Sequence, residues 1–162
     1  MSEQFKYFSV RDFDRFDCVK ISWLYYVSLG FLLRGYLVWL MSVTNFNDRV
    51  GVISWIYPEP KLFYLNLGSG AIGLFVLFLL SLRRPDAATW VQKLWPRSRQ
   101  LVVTALLFDI AINAVGYGVW QLTTFTAFIS QVLIAVALII LCLTNKRVTL
   151  NLKEFPQPMP EK

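Results

Sequence analysis

Four apolar runs of about twenty residues each leave this chain few ways to fold. They cover residues 21–43, 63–82, 101–122 and 126–144, together 84 of the 162 residues. A water-soluble core cannot hide that much unbroken apolar surface. A bilayer with about 30 Å of hydrocarbon calls for helices of this length. The expectation is an all-α polytopic membrane protein. It has an interfacial segment at 1–20, a four-helix transmembrane domain at 21–144 and a tail at 145–162. The first run follows about twenty mostly polar residues, is too long for a signal-peptide core and lacks a small-residue cleavage site. It is expected to be a retained span.

Charge sets the orientation. The net charge is +6, and 13 of the 16 Lys and Arg residues lie before the first run, between the second and third, or after the fourth. Arg49 and Lys61 are the two on the opposite side, and Arg34 lies within the first run. Basic residues accumulate on the cytoplasmic side, which puts both termini there. This asymmetry accounts for the basicity without nucleic acid as a partner. Cys18 and Cys142 fall on the same side and are expected as reduced thiols.

Arg34 is costly at its depth and calls for a partner within the protein. Asp109, the one acid within the apolar runs, is the candidate. Asn113, one helical turn further on, shares its face. Arginine side chains in a helix lean toward its N-terminus, which would carry the guanidinium of Arg34 over Gly30 toward Asp109. Such a cluster either fixes helix register or serves a proton, ion or headgroup. A third option takes Arg34 to a lipid headgroup or a partner subunit.

Helix packing has its own signals. Ser69 and Gly73 on the second run, and Ala114 and Gly118 on the third, form small-x-x-x-small patterns. These suit close contact within the chain, or else a dimer interface. Gln121 and Gln131 are expected to make interhelical hydrogen bonds.

The connections are short. Residues 44–62 suit an interfacial hairpin lid anchored by Trp55 and broken by Pro58 and Pro60. In the second connection, Asp86 is expected to cap a short amphipathic surface helix that Pro96 ends, with Trp90 and Trp95 as anchors. A plain loop with anchoring tryptophans is the alternative. Residues 1–20, with Phe5, Tyr7, Phe8, Phe13 and Phe16 among charges, read either as a surface-lying segment or as a loosely ordered leader. Thr123-Thr124-Phe125 is expected to join the last two spans as a tight hairpin. The proline-rich end, 155–160, is expected to be extended.

Enzyme chemistry finds little to use. The chain has no histidine, no HExxH and no GxSxG, and its hydroxyls lack a base to activate them. No metal site and no cofactor are expected.

Several short stretches carry a resemblance: Asp12-Phe13-Asp14-Arg15 with Lys20, Leu33-Arg34-Gly35-Tyr36, Tyr57-Pro58, Phe63-Tyr64-Leu65 and Trp95-Pro96-Arg97. Through these the chain resembles a family of uncharacterised bacterial inner-membrane proteins, often termed YfeZ-like. That family has proline more usually where Gly35 stands. The resemblance implies four helices in the inner membrane and no assigned activity. The reading that follows is a multi-pass inner-membrane accessory or scaffold subunit, in contact with lipid and with a membrane protein partner or its own copies. The alternative is a minimal oligomeric transporter or channel using Arg34, Asp109 and Asn113.

Overall fold

The first apolar run does not form one rod. In this computed structural model, which describes residues 13, 18–45, 48–57, 59–121 and 123–156, it is two helices. They are α1 (Trp23–Leu32) and α2 (Arg34–Thr44), bent by 66° at Leu33. The Leu33 N–H still reaches the Leu29 carbonyl at 2.8 Å, and the register resumes where the Leu37 N–H reaches Leu33 at 2.9 Å. Between them the Arg34 side chain takes over the Phe31 carbonyl, with Nη1 donating at 3.1 Å. A side chain inserted into the backbone ladder is a recognised cause of a sharp kink, and no proline is needed here.

Glycines receive the bend. A Cβ on Gly70 would stand 2.8 Å from the Leu32 carbonyl oxygen and 3.0 Å from the Tyr36 ring. One on Gly73 would stand 3.0 Å from the Leu32 Cβ, and one on Gly35 would stand 3.4 Å from the Asn66 backbone. The elbow of α1 and α2 therefore seats backbone against backbone on α4 (Pro60–Ser81), as small residues permit. Gly30 has nothing near its Cβ position, so the expected passage for Arg34 over Gly30 is replaced by one over Phe31.

After the bend comes α3 (Arg49–Ile56), capped by the Asp48 carboxylate, which accepts from the Gly51 N–H at 2.8 Å. The lid expected as a hairpin is thus a short helix. Pro58 lies outside the described residues. Pro60 opens α4 at its first turn, where the missing N–H costs nothing.

The second connection also differs from expectation. Asp86 lies in a turn, and α5 (Thr89–Leu94) starts from Ala88 without a side-chain cap. Pro96 does not stop it. A 3-10 turn at Trp95–Arg97 leads into α6 (Ser98–Gly118), so Thr89–Gly118 is one helical stretch of 30 residues. At 1.5 Å per residue it is about 45 Å long, more than hydrocarbon alone requires. Its first turns are the short helix expected in this connection, running on into α6 rather than set apart. The stretch ends at Gly118, short of residue 122, and Gln121 sits in the following turn with φ 50°, exposed. It makes no span contact of the kind expected.

Helix α7 (Phe125–Thr144) then packs along α6, and α6 along α4. Helix α1 touches α4, α6 and α7, whereas α2 lies on α4 and α3. The main apolar core joins Leu29, Leu32, Val76, Leu106, Leu138 and Trp95. A smaller one joins Val38, Tyr57, Leu62 and Phe63 at the α3 end.

The tail expected at 145–162 begins as α8 (Lys146–Lys153), capped by Asn145, and most of the stretch expected to be extended, 155–160, lies outside the described residues. Val148 and Leu152 belong to the main core, and Phe155 packs on it. Glu154 accepts from the Val19 N–H at 2.7 Å, which ties the two ends of the described chain together. Residues 1–12, 14–17 and 157–162, with the readings made for them, lie outside the described residues. Among those described, α4, the 89–118 stretch and α7 are long and apolar enough to cross a membrane, and the bent α1–α2 pair makes a fourth if counted as one span.

Candidate functional site

Arg34 opens α2 just beyond the break, so its side chain turns back along the last turn of α1. The guanidinium carbon lies 4.5 Å over the Phe31 ring. A cation at a helix C-terminus meets the negative end of the helix dipole, and here it also occupies a freed carbonyl. The second terminal nitrogen, Nη2, donates to both carboxylate oxygens of Asp109 at 3.0 Å, while Nε is buried without a partner. The sequence places Asp109 on α6, and its residue is only 1% exposed.

Two further donors complete the carboxylate. Ser69 Oγ on α4 donates to Oδ1 at 2.9 Å. Asn113 Nδ2, one turn along α6, reaches Oδ2 at 3.2 Å and the Asp109 backbone carbonyl at 2.8 Å. An ionised carboxylate offers about four acceptor positions, and these contacts occupy them with donors from α2, α4 and α6. The result is a polar layer between the two apolar cores. Hydrogen bonds to an ionised group are stronger than neutral ones, and these tie three helices in one register.

Asn66, one turn before Gly70 on α4, extends the layer. Its Nδ2 donates to the Leu62 carbonyl at 3.0 Å, which leaves Oδ1 free and buried. Tyr57, at the end of α3, closes the layer from the α3 side. Burial pushes its phenol above the ordinary value, and the nearby Arg34 charge opposes that push.

The structure thus brings Arg34, Asp109 and Asn113 together with Ser69, which sequence reasoning had placed only as a packing residue. A hydroxyl at a small-residue position facing an acid was the available signal. Asn66, Gly35 and Gly70 gave no separable sign, since each is ordinary in an apolar helix. Gly73 packs on Leu32, as a close-contact residue would. Ala114 and Gly118, in contrast, are exposed, and Gly118 has nothing near its Cβ position. Both lie on the exposed side of α6, away from the buried Gly116.

The tryptophans also part company. Trp55 is 85% exposed and Trp90 is 42% exposed, as anchors at an interface would be, but Trp95 is buried. Its Nε1 donates to the Asn151 carbonyl of α8 at 3.0 Å, and the Arg83 guanidinium stacks 4.9 Å over its ring. Trp95 is a core residue because α8 covers it, and α8 was expected as tail. Gln131 on α7 carries a buried Oε1 without a partner. Among the described residues no group of three or more Cys, Asp or Glu side chains gathers to hold a metal ion.

No curated protein and no solved structure matches the chain. A match to a family profile covers residues 8–154, nearly the whole polypeptide. The chain belongs to the family described as Protein of unknown function (DUF2919).

Proposed function

We propose that this chain is a four-span protein of the bacterial inner membrane, both ends cytoplasmic, acting as a non-catalytic accessory or scaffold subunit. The one-sided distribution of Lys and Arg supports the orientation. The resemblance to YfeZ-like inner-membrane proteins points the same way.

The saturated Asp109 carries the functional reading. A carboxylate whose acceptor positions are all filled by protein donors holds helices together and has no lone pair left for a substrate proton. Helix α7 presents a broad apolar face to its surroundings, with Leu133, Ile140 and Leu143 each more than half exposed. That face suits lipid and a membrane protein partner or second copy alike. A minimal oligomeric transporter or channel would need the same cluster to open.

Extraction in mild detergent should recover the chain in a complex of fixed stoichiometry, and the double variant Arg34→Met/Asp109→Leu should keep that complex. Recovery of a lone chain under those conditions speaks against the scaffold reading. Flux into liposomes that Asp109→Asn abolishes in a folded protein would establish the transporter instead.

A further inference from the structure

Behind the polar layer, on its α3 side, lies a cavity of about 220 Å³. Its walls come from the end of α3, the start of α4, the middle of α6 and the first turns of α7. Its lining includes Ile56, Tyr57, Asn66, Asn113, Thr123 and Gln131. It has room for several waters. That is too roomy for a bare ion and too small for a drug-sized molecule.

The wall holds two amide oxygens that can only accept and a hydroxyl that can accept or donate. Asn66 Oδ1, Gln131 Oε1 and Thr123 Oγ1 are buried and have no partner in the protein. Asn66 is 2% exposed, and the bond from its Nδ2 to Leu62 decides which end of the amide remains free. Asn113 has its amide donor committed to Asp109 in the same way. Buried acceptors left dry are rare and costly, and their concentration around one space calls for a donor within it.

Charge narrows the class. Among the described residues no Lys, Arg, Asp or Glu lines the cavity. Arg34 lies beside it, bonded to the same Asp109 carboxylate as the lining Asn113. That charge is paired with Asp109, so the layer adds little net field, and a cation in the cavity would lie buried with no carboxylate of its own.

We propose that this cavity is a binding site for a small uncharged molecule with several O–H or N–H donors, held by Asn66 Oδ1, Gln131 Oε1 and Thr123 Oγ1. Small polyols and simple amides of the urea type belong to this class. The proposal goes beyond the scaffold reading and does not depend on it, because the cavity adjoins the Arg34–Asp109 layer without using its charges. Ile56 and Tyr57 supply an apolar wall, while the oxygens orient the occupant.

Saturation-transfer NMR on the full-length protein in lipid nanodiscs tests this, with glycerol and urea as donor-rich probes. N,N-dimethylformamide serves as the donor-free control and methylammonium as the cationic one. Glycerol or urea should receive transfer at least about fivefold above either control. Gln131→Leu and Thr123→Val should each reduce that signal severalfold, and Asn66→Leu should remove it. Since Asn66→Leu disturbs the α4 seat and could unfold the chain, the other two variants decide the matter if it does. Ser130→Ala, next to Gln131 but outside the cavity, should change nothing. Absence of transfer to either donor-rich probe means a cavity filled by water alone and overturns the proposal. So does equal transfer in wild type and in both the Gln131 and Thr123 variants, or a stronger signal from methylammonium than from urea.

Discussion

Replacing Asp109 by leucine removes the charge that keeps Arg34 tolerable. In the folded chain the Asp109 carboxylate is almost fully buried, while Arg34 has a side-chain exposure of 19%. Without Asp109, the guanidinium keeps the Phe31 carbonyl and loses both of its charge-assisted bonds. Stranding one member of a buried pair costs about 3–5 kcal/mol. For a chain of this size each kcal/mol moves the melting temperature by about 2–4 °C, so Asp109→Leu should melt about 6–20 °C below wild type. Arg34→Met should fall at the lower end of that range, because Ser69 and Asn113 still donate to the carboxylate. The double variant Arg34→Met/Asp109→Leu should return to within about 1 kcal/mol of wild type or exceed it, as exchanged buried pairs often do. In the double variant Ser69 retains the Asn66 carbonyl, and Asn113 retains the backbone carbonyl of residue 109. Thermal melts in one detergent, followed by circular dichroism, give the four corners of the cycle. An Asp109→Leu variant melting within ~2 °C of wild type would refute the reasoning. So would a double variant less stable than both single ones.

Two further outcomes follow from the packing. Gly70→Ala should cost about 1–3 kcal/mol by forcing the α1–α2 elbow off α4, whereas Gly68→Ala and Gly30→Ala, with open space at the Cβ position, should be neutral or stabilise by about 0.5–1 kcal/mol. Melting temperatures of the three variants check the ordering. Trp95→Ala should cost about 3–5 kcal/mol as a buried core truncation, while Trp90→Ala should cost under about 1 kcal/mol. Denaturant titration of both, monitored by the remaining tryptophans, separates the core role from the anchoring one.

Much of the candidate site was open to reasoning from sequence because a charge in an apolar helix has so few acceptable partners. One base, one acid and an amide one turn away form a short list, and Arg34, Asp109 and Asn113 do meet. What could not be read was the path between them. Arg34 approaches through a kink with no proline to announce it, over Phe31 rather than Gly30. Ser69 enters the cluster because α4 presents that face to α6, and its seat there rests on which glycines meet the elbow.

By itself the sequence determined the all-helical plan and the number of apolar segments, because backbone groups in hydrocarbon must be satisfied within each segment. It also determined which polar residues could not be left alone. The tertiary structure decided whether the first segment is straight, whether Trp95 faces outward or inward, and whether the residues after Thr144 trail or pack. Each of these depends on contacts between residues far apart in the chain, such as Leu32 on Gly70 or Trp95 beneath α8. A local pattern of apolar and polar residues is the same whether such a contact forms or not.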